Sequence, residues 1–293
     1  MLQNVCADGF AMFNRIEEGS VYAALLGGSS AVTVNPAGMS EPGPVLDWII
    51  SKPWTSEEIP DLFYVSTGAV SKYRRLYGGI RVSFLNGGRF ELFDEYGNSS
   101  GAAQAITGRI SGGLSIQSRN DIISAGINGG FEYSGFSSGK NIRTPVGGSV
   151  LIKPHRAVIL YFGTGEITFH DAHPVFQTGA AVLPGKAVTV CTGVEYVLYG
   201  SPIVSLALQL RFARIISAAA GWEAGGHGSL TPGSTINSYD VMSGYHFFHR
   251  INASVGITPG KFTVFYRIGI HNELGLTHSI LLQTHTNGRS TKI

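Results

Sequence analysis

The sequence predicts an all-β fold, a closed antiparallel transmembrane β-barrel of roughly 12–14 strands. Three observations predict it. Apolar and small or polar residues alternate with period two through most of the chain, the signature of strands. The second face of that alternation is mostly Gly, Ser and Thr, where a solvated sheet would carry charge. Charged residues make up only 14% of the chain, against about 25% in soluble domains.

Taken in chain order, the first notable stretch is Ala23–Met39, AALLGGSSAVTVNPAGM, a glycine pair and a run of small residues leading into Asn35-Pro36-Ala37-Gly38. Strand patterns follow. Ile80, Val82 and Phe84 lie opposite Arg81. In Ile106–Ile116, the face of Ile106, Ile110, Leu114 and Ile116 opposes Thr107, Arg109, Ser111 and Ser115. In Ile123–Tyr133, Ile123, Ile127, Phe131 and Tyr133 oppose Ser124, Asn128 and Glu132. Val188–Leu198 sets Glu195 away from Val194 and Tyr196. Phe262–His271 sets Phe262, Val264, Tyr266 and Ile270 against Thr263 and Arg267. Turn chemistry separates these runs at Asn86-Gly87-Gly88, Glu95–Asn98, Ser118–Asp121, Leu183–Lys186 and Thr258–Lys261. Short helices are expected around Val21–Leu26 and Thr55–Leu62. The glycine triplets Gly163-Thr164-Gly165 and Gly225-Gly226-His227-Gly228 read as turns.

Two all-β architectures fit such alternation. A soluble sandwich buries the apolar face and solvates the other; a membrane barrel turns the apolar face to lipid and the other inward. The scarcity of charge favours the barrel. So do 40 glycines, roughly twice the usual share of about 7%, since small residues suit a crowded interior. Aromatics near strand ends, Tyr73 and Tyr77, Tyr133 and Phe136, Tyr161 and Phe162, Tyr196 and Tyr199, and Tyr245 with Phe247 and Phe248, read as interfacial girdles. Unpaired backbone groups cost several kcal/mol each in hydrocarbon, so the last strand must meet the first. Leu274–His285 supplies that closing strand. No stretch reaches the about 18 consecutive apolar residues of a membrane helix.

Chemistry-bearing motifs are sparse. A net charge of +2 gives no footprint for nucleic acid, and Lys72, Arg74 and Arg75, the one tight basic cluster, read as a solvated turn. The two cysteines, Cys6 and Cys191, lack metal or redox spacing, and Cys191 is expected to pack as a small residue. His170-Asp171-Ala172-His173 has loose metal-ligand spacing with no third partner; His246 and His249 fall on opposite sides of a strand. There is no nucleophile elbow and no phosphate-binding glycine loop. The sequence therefore predicts no enzyme, no cofactor and no metal. Arg81, Arg109, Glu132, Glu195 and Arg267 fall on the inner face. Buried charges need partners, so they are expected to tie an inner segment to the wall; the other reading is that Arg81 or Arg109 attracts an anionic headgroup.

The Gly-Gly-small-small run into Asn-Pro-Ala-Gly ahead of the first strand resembles the FadL-like outer-membrane superfamily, which includes long-chain fatty acid transporters, PorV-type proteins of type IX secretion and UPF0164 proteins. Gly78–Ile116, AGINGGFEYSGF and ELGLTHSILLQ resemble later parts of the PorV and UPF0164 pattern. The chain has fewer residues before Asn-Pro-Ala than is usual in that superfamily. The resemblance implies that residues 1–42 form a plug or hatch in the lumen, with Gly27, Gly28, Asn35, Pro36, Ala37 and Gly38 as its motif, and that 43–293 form the barrel. It also implies a bacterial outer-membrane location, although no export signal is visible at the N-terminus, where a basic start is lacking and Asp8 and Asn14 interrupt the apolar residues. Expected partners are membrane lipid, fatty acid or another hydrophobic ligand, or secretion-system proteins, and no nucleic acid. The expected function is diffusive uptake of hydrophobic molecules such as long-chain fatty acids. The alternatives are a PorV-type secretion adaptor or surface scaffold, and a soluble β-sandwich binder.

Overall fold

The computed structural model describes residues 27–52, 63–93, 99–136, 139–168, 175–185, 187–197, 202–212, 215–227, 246–271 and 275–285. The described residues contain fifteen strands. They are β1 Leu46–Lys52, β2 Phe63–Tyr73, β3 Leu76–Phe93, β4 Ser99–Gln117, β5 Ile123–Phe136, β6 Gly139–Arg143, β7 Pro145–His155, β8 Val158–Thr168, β9 Val175–Val182, β10 Val188–Val197, β11 Ile203–Phe212, β12 Ile216–His227, β13 His246–Ile257, β14 Phe262–His271 and β15 Gly275–Thr284. Each pairs antiparallel with its neighbour in sequence, except that β6 and β7 lie end to end along β5, with Thr144 between them. β1 pairs with β15 from Leu46↔Thr284 to Lys52↔His278. The sheet thus closes into a fourteen-membered ring with no free edge, the condition for placing a sheet in hydrocarbon.

The alternation is inside out relative to a soluble protein. Ile110, Ile127 and Val264 are 54%, 65% and 40% exposed, while Ser111, Ser115 and Ser124 on the other face are buried. Greasy side chains therefore face outward and small polar ones inward on the same strands, as in a membrane barrel. A soluble sandwich would bury the first set, and that alternative is excluded.

Among the described residues, one rim carries tight connections at Arg74–Arg75, 118–122, Arg156–Ala157 and 258–261. Val45 and the end of β15 lie at this rim, where the Val45 amide donates to the Thr284 carbonyl at 2.9 Å. Lys72, Arg74 and Arg75 are exposed at the β2–β3 turn, as expected of a solvated basic turn.

Several expectations are corrected. Asn86-Gly87-Gly88 is no hairpin. β3 runs through it, and the register slips between Asn86 and Arg89 with Gly88 at φ 83°. A left-handed glycine here makes a bulge rather than a turn. Beyond Asn86 and Ile106, β3 and β4 pair only with each other, so they continue past the ring as a two-stranded ribbon. Gly163-Thr164-Gly165 lies within β8, and Gly225-Gly226-His227 within β12. The ring of Tyr161 folds over Gly163, its Cζ 2.8 Å from where a Cβ would stand, so the glycine makes room for an aromatic neighbour. Tyr77 and Tyr161 are buried inside the barrel and do not join a girdle; Tyr73, Tyr133, Phe162 and Tyr196 are exposed on the outer face. Period two decides this, because Tyr77 and Tyr161 have the inward parity. Val21–Leu26, Thr55–Leu62, His170–His173 and Cys6 lie outside the described residues, while Cys191 is buried.

An outward position should tolerate no charge. Ile110→Arg is expected to destabilise the folded barrel by about 2–4 kcal/mol near the middle of the bilayer. Denaturant unfolding in lipid vesicles measures it, and an unchanged midpoint would contradict the inside-out orientation.

Candidate functional site

The candidate site is the lumen, where residues 27–44 pack against the inner faces of the surrounding strands. Two short 3₁₀ turns, Gly28–Ala31 and Pro36–Ser40, give this segment its shape. Gly28 takes φ 60°, a conformation that costs a side-chain-bearing residue energy. It lets the Ser29 amide reach the Pro44 carbonyl at 2.7 Å. Pro36 opens the second turn, where its missing N–H is no loss. Asn35 caps it, its Oδ1 accepting from the Gly38 amide at 3.2 Å.

One anchor is a row of three neighbours across β1, β2 and β3: Asp47, Gly68 and Arg81. The Asp47 carboxylate accepts from Ser29 Oγ at 2.8 Å and Ser30 Oγ at 2.9 Å. Arg81 Nη1 lies 3.3 and 3.4 Å from its two oxygens and donates to the Ser29 carbonyl at 3.2 Å. Gly68 leaves the space: a Cβ there would stand 3.1–3.2 Å from Arg81 Nη1, Asp47 Oδ1 and the Ser29 carbonyl oxygen. Both charges are buried, so each depends on the other and on the serines.

A second anchor centres on Asn35 and Ala37. Ser149 Oγ accepts from the Ala37 amide and donates to Asn35 Oδ1, both at 2.9 Å. Ser40 Oγ lies 2.8 Å from Ser124 Oγ, and Ser115 Oγ donates to the Ala37 carbonyl at 3.3 Å. Asn128 Nδ2 donates to the Val32 carbonyl at 3.1 Å and also to that of Thr33. The Tyr161 hydroxyl lies 3.0 Å from the Val34 carbonyl oxygen and 2.7 Å from Gln177 Oε1, and Gln177 Nε2 donates to Glu195 at 3.1 Å. Lys153 pairs with Glu41 at 2.7 Å near the short-turn rim. A buried hydrogen bond adds only about 0.5–1.5 kcal/mol net, but an orphaned group costs about 1–3 kcal/mol. The network therefore fixes one seating for the segment.

Apolar contact completes the fit. Ala31, Val32 and Met39 cluster with Tyr77, and Ala37 clusters with Leu151, Tyr161, Ala181, Cys191 and Ala207. The wall gives way where the segment presses closest. A Cβ on Gly126 would stand 2.5 Å from the Ala37 amide nitrogen, and one on Gly79 would stand 2.5 Å from Val32 Cγ2.

Of the motif residues read from the sequence, Gly28, Asn35, Pro36, Ala37 and Gly38 are all buried here, with Gly27 at the entry beside Gly43 and Pro42. Of the inner-face charges, Arg81 and Glu195 join the network, Arg81 directly and Glu195 through Gln177 and Tyr161. Arg109 and Glu132 are buried neighbours across β4 and β5, and Glu132 stands opposite Arg143 on β6. Arg109 Nε donates to Ser111 Oγ at 2.8 Å. This group lies further from the short-turn rim than the segment does. Arg267 is half-buried on β14, opposite Ser254 and Ser279. Sequence reasoning missed Asp47, Ser149 and Gln177, set Asn128 on the inner face without a role, and placed Tyr161 in a girdle. Asp47 had a readable signal: it is the acid in the alternating LDWIISK, with Trp48 and Ile50 pointing outward.

At the short-turn rim, His285 Nε2 lies 3.2 Å from Thr263 Oγ1. Burial lowers the pKa of this imidazole, and a hydrogen bond to the Gly43 backbone opposes the shift in part.

Comparison with solved structures finds the same fold in a deltaS2S3 mutant of the TodX monoaromatic hydrocarbon channel. It matches with a TM-score of 0.65 and 8% identity over 88% of this chain and 94% of that one. The CymD monoaromatic hydrocarbon channel matches at 0.62 and 10% identity, covering 89% and 93%. A Pseudomonas aeruginosa FadL homologue matches at 0.61 and 9% identity, covering 92% and 96%. At these identities the shared property is the fold alone, a closed antiparallel β-barrel. No protein-family model and no curated protein matches the sequence.

Two outcomes test the seating. Asp47→Asn removes the partner of a buried cation, a change that costs about 3–5 kcal/mol in buried pairs, and Gly126→Ala drives a methyl into the Pro36–Ala37 backbone. Each variant is expected to stay heat-modifiable on a gel while its N-terminal segment is cut faster by protease; unchanged cleavage in both would contradict the seating. His285 is expected to titrate below about 6.5. Because the folded form then binds fewer protons than the unfolded one, its contribution to stability is present above that value and is lost as pH falls. NMR titration of the His285 ring reads the midpoint directly.

Proposed function

We propose that the chain is an outer-membrane channel through which hydrophobic small molecules cross by diffusion, with residues 1–42 as its plug and 43–293 as its barrel. The observation that carries this reading is the near-full-length match in fold to two hydrocarbon channels. The site supports it in three ways. The barrel turns an apolar surface outward, as a protein seated in lipid must. Besides its small apolar contacts, the plug is held by hydrogen bonds and by the Lys153–Glu41 ion pair, polar links that water can replace when the plug shifts. Ala181, Cys191 and Ala207 are buried against Ala37, with Val34 packed beside them, so a plug that swings away uncovers an apolar strip for a greasy solute. Long-chain fatty acids are the substrates the reading names first, and the monoaromatic hydrocarbons of TodX and CymD come second.

The test is reconstitution of the full chain in liposomes. Entry of a long-chain fatty acid or of toluene into the vesicle lumen is expected to exceed that in protein-free vesicles, and Asp47→Asn is expected to raise it further. Entry equal to that of empty vesicles for both solutes would overturn the channel reading.

A second reading, a PorV-type secretion adaptor, is favoured by the β3–β4 ribbon that continues past the ring, since a projecting ribbon offers a docking edge. Loss of co-purifying secretion proteins on shortening this ribbon, with solute entry absent, is the outcome that reading expects.

A further inference from the structure

The outer wall has a recess apart from the lumenal site. Its outward residues form two rows across β2 to β5. The row nearer the short-turn rim is Ser71, Gly78, Leu114 and Ile127; the next is Ala69, Ile80, Gly112 and Gly129. Small residues sit at the near left and far right of this patch, and Ile80, Leu114 and Ile127 stand up beside them, about half exposed or more. The result is an oblique, open apolar groove with a volume of about 740 Å³. The lumenal side is filled, because Val32 and Met39 press on Gly79 and Gly113 from within. The groove therefore opens only to the membrane.

Charge marks one end. Ser71 is three residues from Arg74, about 10 Å along the strand. Arg74 sits in the tight β2–β3 turn at φ 57°. Its guanidinium carbon is 5.6 Å from the centre of the Tyr73 ring, and Tyr73 is 70% exposed on the lipid side. Arg75 is exposed beside it, and Arg119 lies in the next turn with Asp121. Lys72 leans instead toward the inward Tyr77, 5.1 Å from its ring centre. Tyr at the interface and arginine just outside it are the anchors that a lipid headgroup meets, and an anionic headgroup is favoured near such arginines.

We propose that this groove binds one anionic phospholipid of the leaflet at the short-turn rim, an acyl chain lying between Ile80 and Leu114 and its phosphate held by Arg74 and Arg75. An apolar groove alone would take any chain; the arginines at its mouth select the charge. Gly112 is the natural place to close it. A Cβ there would meet nothing nearer than the Gly79 carbonyl oxygen at 3.8 Å, so a larger side chain fills the groove without pushing the wall.

The experiment is native mass spectrometry of the full chain released from nanodiscs of equal phosphatidylglycerol and phosphatidylethanolamine. The expected result is one retained phospholipid, with phosphatidylglycerol preferred about fivefold or more, the worth of one arginine near an anionic lipid. Gly112→Leu is expected to lose the retained lipid of either type. Arg74→Gln with Arg75→Gln is expected to keep a lipid and lose the preference. A heat-modifiability gel verifies that each variant is folded. Retention unchanged in Gly112→Leu, or a preference unchanged without the arginines, would overturn the proposal. Dimers that Gly112→Leu abolishes would assign the groove to a second copy and also overturn it. The readout contains no transported solute, so its result stands apart from that of the channel reading.

Discussion

The structure depends on one constraint: every backbone donor and acceptor in the wall must find its partner within the sheet. The β1–β15 pairing, from Leu46↔Thr284 to Lys52↔His278, satisfies the last two edges. Once the sheet closes, its small polar side chains are confined to a narrow interior, and an unpartnered polar group there is costly. The lumenal segment resolves that cost. Its carbonyls and hydroxyls meet Asp47, Ser115, Ser124, Asn128, Ser149 and Tyr161, so the wall and the segment satisfy each other.

The same confinement explains where glycine appears. Gly68, Gly79 and Gly126 lie at the points of closest approach between wall and segment. Gly78, Gly112 and Gly129 have the opposite parity and thin the outer surface. The β2–β5 wall is thus reduced from both sides, which is why a lumenal fit and a membrane-facing recess share one patch of sheet.

Much of this was legible in the sequence because period two is a direct physical record of two environments. Ile110 and Ile127 against Ser111 and Asn128 fixed which face met lipid, and Leu274–His285 was readable as the closing strand. The inward parity of Arg81, Arg109, Glu132 and Glu195 was equally plain. What failed was glycine. In soluble proteins Asn-Gly-Gly and Gly-Thr-Gly punctuate turns, whereas here Gly88 makes a bulge and Gly163 shelters the Tyr161 ring. Aromatic position misled for a related reason, since closeness to a strand end did not reveal that Tyr77 and Tyr161 point inward. The partners of the inner charges were harder still: Asp47 and Arg81 are 34 residues apart, and only the strand register brings them together around Gly68.

The hydrogen bond between Gln283 and Ser30 joins positions 253 apart in the chain. That contact of the early-synthesised stretch therefore waits until the last hairpin has been made. Contacts of such long range make folding slow and leave greasy surfaces uncovered meanwhile. The segment that fills the centre is in this sense the keystone set at the end of construction, and a cell making this protein must shelter a nearly complete, still open sheet until it is set.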